Sequence, residues 1–409
     1  MKLHIKSAGA ALAAAALVLA GCGGADDDAA KDGAAGSADK STESSSEKES
    51  TSAREASDGG ITITDVEGRT VTFDSLPERI ILGEGRGVFA TAILDKDDPL
   101  DKVVAMGSDL KSGAPGYYEN LVEAYPRAGE VPEIGNIAKG DVTVENLVSY
   151  QPDALVITAD HYSAAKTTGM LDKIDAAGIK YIVTDFRQHP MTNTTVSVTA
   201  LGELLGKEDA ATSFNKEWNS VVDRVKERVA ETDSRPSTFL WRAAGLKDCC
   251  ATFGKANLGE MITVAGGDNL ADHIIDTESG DITAEKLIDE QPEIIIATGG
   301  TWSKQNDKPQ AVPHADLGYG VSEETSRDTL RGLLETPGLS ELDAPGDGRF
   351  YGVWHQFYDS PFNYIALEQF AKWIHPDKFE DVDPAADWDD ANSKYLPFPA
   401  DGTFFIGIN

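Results

Sequence analysis

Asp141-Val-Thr-Val-Glu145-Asn-Leu147-Val-Ser-Tyr-Gln151-Pro152-Asp-Ala-Leu-Val-Ile-Thr158 returns 140 residues later as Asp281-Ile-Thr-Ala-Glu285-Lys-Leu287-Ile-Asp-Glu-Gln291-Pro292-Glu-Ile-Ile-Ile-Ala-Thr298. Asp, Thr, Glu, Leu, Gln, Pro and Thr recur in register. Each copy reads as a short helix, a Gln-Pro stop and a buried strand. Thr143 and Thr283 are placed to cap their helices, and the acid two residues on suits the positive end of the helix dipole. A solenoid needs many short repeats, so two copies this far apart imply two similar lobes.

Working outward, Ile61-Thr-Ile-Thr and Arg69-Thr-Val-Thr-Phe73 alternate around Glu67-Gly68 and read as a hairpin. The runs Arg79–Leu82, Lys102–Ala105, Ala154–Ile157 and Tyr181–Val183 are short and wholly apolar at their centres, as strands of a parallel sheet covered on both faces are. A helix is expected over Ala165–Ala177, closed by Gly178. From Ala210 to Thr232 an apolar stripe (Phe214, Trp218, Val221, Val222, Val225, Val229) has helical spacing and is unbroken until Ser234-Arg235-Pro236. Such a helix spans roughly 33 Å, enough to bridge two lobes. Strands follow at Thr238–Trp241, Ile294–Ile296 and Phe350–Trp354, then a closing helix that starts at Ser360-Pro361. The fold class is therefore α/β: two Rossmann-like lobes with mostly parallel sheets, bridged by a long helix, with a ligand cleft between them. The expected boundaries are 60–190 for the first lobe, 191–235 for the connecting helical segment and 236–409 for the second lobe.

The first residues are not fold. Lys2 and Lys6 precede an apolar run, Ala8–Ala20, too short to span a membrane. It ends in Leu19-Ala20-Gly21-Cys22, which looks like a bacterial lipobox. Residues 1–21 are thus expected to be a lipoprotein signal peptide and Cys22 the lipidated residue, fixing the chain to the cell membrane from outside the cytoplasm. Residues 22–59 are Gly, Ala, Ser, Asp, Glu and Lys with almost no large apolar side chain, the composition of a disordered acidic tether. Across 409 residues, 69 acidic side chains face 36 basic ones, a formal charge of −33. That surface repels nucleic acid, so nucleic-acid binding is excluded as a function. Cys249 and Cys250 are adjacent, and their redox state stays open, as does the purpose of the long loop from Ser303 to Arg331.

Ligands of open α/β sheets sit beyond the carboxyl ends of the strands. Just after the expected strands stand Glu84 and Arg86, Tyr117 and Tyr118, His161 and Tyr162, Arg187 and His189 in the first lobe. In the second stand Trp241 and Arg242, Trp302, and Trp354, His355 and Tyr358. Aromatic walls supply contact area and arginine supplies bidentate contacts to anions. His161 beside Tyr162, and His355 near Tyr358, are also of the types that ligate iron or haem iron. Whether any of them holds metal directly stays open. Core packing is the competing role for Trp241 and Trp354, and pairing with surface acids is the competing role for Arg86, Arg187 and Arg242.

Taken in order, several segments resemble the iron-complex and cobalamin group of ABC importer binding proteins, the ferric-siderophore, haem and vitamin B12 binders. They are the Thr143–Ile157 block, Asn257-Leu-Gly-Glu-Met-Ile-Thr-Val-Ala-Gly-Gly-Asp-Asn-Leu270, the Thr283–Ile296 block, and Pro337-Gly-Leu-Ser-Glu-Leu leading to Gly348-Arg-Phe-Tyr-Gly352. The resemblance covers about residues 61–380. It implies a monomeric carrier with no cofactor of its own and limited hinge motion. The ligand would be a small iron chelate, a ferric siderophore, with haem or cobalamin as the alternative. The partner would be an ABC permease dimer with its ATPase, on which Glu145 and Glu285 would dock. An extracytoplasmic enzyme on the same lobes is the rival class. Against it, the chain has no Gly-x-Ser-x-Gly elbow, no His-Glu-x-x-His and no Walker loop, and Gly83-Glu-Gly-Arg-Gly87 lacks dinucleotide-binding spacing.

Overall fold

The computed structural model describes residues 60–246, 249–302 and 314–409. The leader, Cys22 and the tether lie outside the described residues, as do residues 303–313; the loop expected over 303–331 is not all loop, since its described part holds a short strand, Gly318–Tyr319, and most of a helix, Glu323–Gly332, capped by Ser322.

The hairpin is formed by β1 (Ile61–Thr64) and β2 (Thr70–Phe73), paired antiparallel. The first lobe is built on β3 (Ile80–Leu82), β4 (Val103–Gly107), β5 (Glu133–Ile134), β6 (Ala154–Thr158) and β7 (Tyr181–Thr184). These lie side by side in the order β5-β4-β3-β6-β7, all parallel. Side chains along a strand alternate between faces, and here each face meets its own apolar cluster. Ile80, Leu82, Val156 and Ile182 enter one, while Ile81, Leu155, Ile157 and Val183 enter the other. That is why these strands read as continuous apolar runs rather than alternating ones.

Helices α1 (Val88–Leu94), α2 (Asp109–Gly113) and α3 (Pro115–Ala124) follow β3 and β4, and α4 (Val144–Ser149) precedes β6. The single helix expected over 165–177 is two helices, α5 (Ala159–Thr168) and α6 (Met170–Ala176). Gly169 breaks it: at φ 71° it takes a left-handed conformation that ends α5 and reorients the chain.

The lobes are joined by α7 (Pro190–Leu205) and α8 (Glu208–Val229). The expected long helix is α8, of 22 residues; α7 packs antiparallel along it, with Asn215 Nδ2 donating to Thr195 O and to Thr199 Oγ1 and Gly202 facing Ala211. A Cβ on Gly202 would stand 2.5 Å from the Cβ of Ala211, so the two helices approach closely only because residue 202 is glycine. The stripe Ala211, Phe214, Trp218, Val222, Val225, Val229 is buried.

The second lobe holds β8 (Ser237–Trp241), β9 (Ala251–Phe253), α9 (Asn257–Val264), β10 (Asp268–Asn269), β11 (Ser279–Asp281), α10 (Ala284–Glu290) and β12 (Ile294–Gly299). Then come β13 (Gly318–Tyr319), α11 (Glu323–Gly332), α12 (Asp343–Gly346), β14 (Phe350–Trp354), α13 (Asn363–Ile374), α14 (Pro384–Tyr395), β15 (Gly402–Thr403) and β16 (Phe405–Gly407). Its main sheet runs β10-β8-β12-β14-β16, parallel except for β16, which adds antiparallel to β14. The closing helix starts at Asn363, not at Ser360-Pro361. Its first residue is pinned by two buried hydrogen bonds: Trp218 Nε1 donates to Asn363 Oδ1 (2.8 Å), and Asn363 Nδ2 donates to Thr194 Oγ1 (2.7 Å). These ties hold α7, α8 and α13 together, and one apolar cluster runs through them from the first lobe into the second.

Both copies of the repeat fold alike. Thr143 Oγ1 accepts from Asn146 N and Thr283 Oγ1 from Lys286 N, each at 3.2 Å. Gln151 and Gln291 both turn left-handed, at φ 48° and 44°, immediately before their prolines.

Two features close sheet edges. The hairpin turn sits on the outer edge of β7, where Val183 N donates to Asp65 Oδ2 (3.1 Å) and Val183 O accepts from Val66 N (3.4 Å). Arg69 stacks on Tyr181 at 3.9 Å. At the other lobe, β16 covers β14.

Candidate functional site

The site is built from the turns that leave the strands. After β3, Gly83-Glu84-Gly85-Arg86-Gly87 folds tightly against the neighbouring strands. A Cβ on Gly85 would lie 2.3 Å from the Gly107 carbonyl, and one on Gly83 2.9 Å from that of Val156. These glycines serve backbone approach within the sheet. Asp109 fixes the turn, accepting from Gly85 N (2.6 Å), Arg86 N (3.3 Å) and Arg86 Nε (2.7 Å). After β7, Asp185 does the same, accepting from Arg187 N, Gln188 N and His189 N at 2.6–2.9 Å. The two arginines are thereby held at the carboxyl edge of the first sheet.

Both arginines already have partners. Arg187 Nη2 donates to Glu84 Oε2 and to Asp359 Oδ2, each at 2.6 Å, and its Nη1 donates to Asp160. Arg86 Nη1 lies 3.1 Å from Asp359 Oδ2 and donates to the Tyr358 hydroxyl. Four carboxylates thus surround two guanidiniums. Free arginines awaiting an anion are not what the cleft presents: Arg86 and Arg187 are paired. Arg242 instead stacks over Phe253 at 4.6 Å, with no ion pair to a carboxylate among the described residues.

Burial and charge oppose each other here. Burial alone would push the Glu84 carboxyl up, yet Arg187, Arg86 and His161 hold it below the ordinary value. For Asp359 burial prevails over the same two arginines, and it rises. Burial drives His161 down against Glu84, and drives His355 well down with help from Arg242, Arg86 and Arg187. Both imidazoles are therefore neutral at neutral pH. His161 lies 3.2 Å from Glu84, but the geometry is not that of a hydrogen bond and both ring nitrogens lack partners.

The second lobe brings the aromatic side. Thr298 Oγ1 and His355 Nδ1 are 2.8 Å apart. The Tyr358 ring stacks on His355 at 4.3 Å, and Trp302 meets His355 edge-on at 5.3 Å. Gln356 Nε2 reaches across to the Gly113 carbonyl at 2.7 Å. Under Arg86 and Asp359 a cavity of about 20 Å³, lined also by Leu82, Thr158, Phe186 and Leu201, has room for one water.

Of the residues expected from sequence, Glu84, Arg86, His161, Arg187, Trp302, His355 and Tyr358 come together in this cluster. The others fall elsewhere. Tyr117, Trp241 and Trp354 are core residues, 1–4 % exposed, with Tyr117 and Trp354 both packed on Phe89 and Tyr319. Tyr118 lies near Lys111. Tyr162 packs beside Tyr181 and Arg69, on the face covered by the hairpin. Asp109, Asp160 and Asp359 escaped sequence reading: each follows a strand or its turn, but acids are so abundant that position alone did not single them out. Cys249 and Cys250 are joined as a disulfide. Among the described residues no group of three or more His, Cys, Asp or Glu is arranged to hold a metal ion.

Two parallel-sheet lobes, joined by helices and facing each other across a polar cluster at their strand ends, define a two-lobed α/β binding protein. The crystal structure of the TroA-like periplasmic binding protein FepB from Veillonella parvula is similar over 85% of this chain and 100% of that one, with a TM-score of 0.76 and 28% identity. The molybdate periplasmic binding protein MolA of Haemophilus influenzae shares the fold over 84% of this chain and 99% of its own, with a TM-score of 0.62 and 16% identity. A cobalamin-binding protein of Halobacterium salinarum is 26% identical over 241 residues, 58% of this chain and 58% of that protein, so the match spans little more than half that relative's length. The chain belongs to the periplasmic binding protein family, which matches residues 97–353.

Proposed function

We propose that this chain is the extracytoplasmic, lipid-anchored capture component of an ABC importer, and that its ligand is an iron complex of the siderophore class. The observation that carries the reading is convergence: Glu84, Arg86, His161 and Arg187 from one lobe meet Trp302, His355, Tyr358 and Asp359 from the other. Guanidinium groups match the oxygens that a ferric chelate presents, and Trp302, His355 and Tyr358 supply aromatic surface for its organic part. Glu145 and Glu285, exposed on equivalent helices of the two lobes, would meet the permease.

A second reading, cobalamin or haem in the same cleft, is favoured by the Halobacterium relative and by His161, whose free ring nitrogens suit an axial ligand. Tryptophan fluorescence separates the readings, with Trp302 beside His355 as the reporter. The purified chain is titrated with ferric hydroxamates, ferric catecholates, haem and cobalamin. Saturable quenching by a ferric siderophore at micromolar or tighter affinity is the expected result. A response to cobalamin or haem alone would transfer the assignment to that ligand, and silence from all four would overturn the iron-complex reading.

A further inference from the structure

Asp359 differs from the other acids of the cleft in where it comes from. Glu84, Asp109 and Asp160 belong to the first lobe and hold the arginines from their own side. Asp359 comes from the second lobe, is 5 % exposed, and places a single oxygen 3.1 Å from Arg86 Nη1 and 2.6 Å from Arg187 Nη2. An oxygen bridging two guanidiniums across a cleft stands where an anionic ligand's oxygen would stand. Little unfilled space lies beneath it, about 20 Å³.

We propose that Asp359 is a surrogate for the ligand's acidic group: it latches the empty cleft shut on Arg86 and Arg187, and binding is an exchange in which the ligand's oxygen displaces it. The inference rests on the proposed capture of an oxygen-bearing chelate. The exchange keeps an acceptor on the sides of Arg86 and Arg187 that face the second lobe, which their first-lobe partners do not fill. It also sets selectivity. A ligand without an acceptor oxygen leaves the N–H groups that Arg86 and Arg187 turn toward Asp359 without that acceptor, whereas an anionic oxygen replaces it. Of the two acids shared by both arginines, Glu84 comes from the arginines' own lobe and Asp359 from the other, so a widening of the cleft parts Asp359 from them and leaves Glu84 in place.

Two measurements on the full-length chain test this. Hydrogen exchange without ligand reads the latch: Asp359→Asn should speed exchange in the turns 83–87 and 185–189, and Asp359→Ala should do so more. Calorimetric titration with a ferric tris-catecholate reads the surrogate: Asp359→Asn should bind it roughly tenfold or more tightly than wild type, since the competing carboxylate is gone. Unchanged exchange in both variants would overturn the latch. Faster exchange with equal or weaker catecholate binding would overturn the surrogate and make Asp359 a structural tie or a ligand contact. If neither wild type nor variant binds the catecholate while exchange accelerates, the latch stands and the iron-complex reading fails.

Discussion

Arg187 touches three carboxylates, Glu84, Asp160 and Asp359, of which Glu84 and Asp359 have side chains only 4% exposed. Removing one member of a buried ionic cluster strands the others without their counter-charge. Arg187→Ala is therefore expected to cost about 3 kcal/mol in urea unfolding, as well as weakening ligand binding. Arg242→Ala, which loses only a stack on Phe253, is expected to cost less than ~1 kcal/mol. Equal losses from the two would contradict this division of roles. At this scale the sequence was half legible. Arg, His and Trp are scarce enough that their clustering after strands stood out. Asp109, Asp160 and Asp359 were invisible among 69 acids, and their role depends on distances that no local pattern encodes. Trp241 and Trp354 show the converse: their positions at strand ends were read correctly, but their side chains face the core.

Helices show where local rules suffice and where packing overrides them. The caps at Thr143 and Thr283 follow from residue type alone, whereas the start of α13 is set by the buried contacts of Asn363 with Trp218 and Thr194. The α8–α13 contact also carries a titration. Glu368, fully buried on α13 and bonded to Arg224 on α8, is pushed up to about 7, first by burial and then by a hydrogen bond with Asp387, against the pull of Arg224. Between its ordinary value of 4.5 and about 7, the folded chain keeps a proton that the unfolded chain has released. Stability contributed by this group is present at low pH, falls as pH rises through that window and levels off above it. Glu368→Gln is expected to flatten this slope and to gain roughly 1–3 kcal/mol at pH 8 relative to wild type. Denaturant unfolding at pH 5 and pH 8 checks it, and an unchanged slope would remove Glu368 as its source.

At the scale of the whole molecule, both sheets were legible because buried parallel strands leave long apolar runs, and the repeat at 141 and 281 announced two lobes. The order of strands was not legible, nor was the place of β16, since pairing between distant segments is decided by packing. The repeat also makes a prediction about the molecule as a unit. Glu145 and Glu285 are both exposed, and neither belongs to the polar cluster. The double variant Glu145→Ala/Glu285→Ala is expected to bind ligand with unchanged affinity and to lower ligand-stimulated ATPase activity of the reconstituted importer roughly tenfold. Lost ligand binding, or full ATPase stimulation, would count against docking through these carboxylates.

The way the sheets end has a consequence for life at high density. An unpaired strand edge is a template on which another chain can add, and the longer and flatter the edge, the greater the hazard. Here β5 and β10 offer two residues each, β16 offers three, and the longer β7 is occupied by Asp65 and Val66 of the hairpin turn. Among the described residues, the outer strands of the two main sheets thus offer another copy of the chain few free backbone groups to pair with. Deleting the hairpin would bare the four-residue edge of β7 and is expected to raise the light scattering of concentrated samples over that of the intact chain.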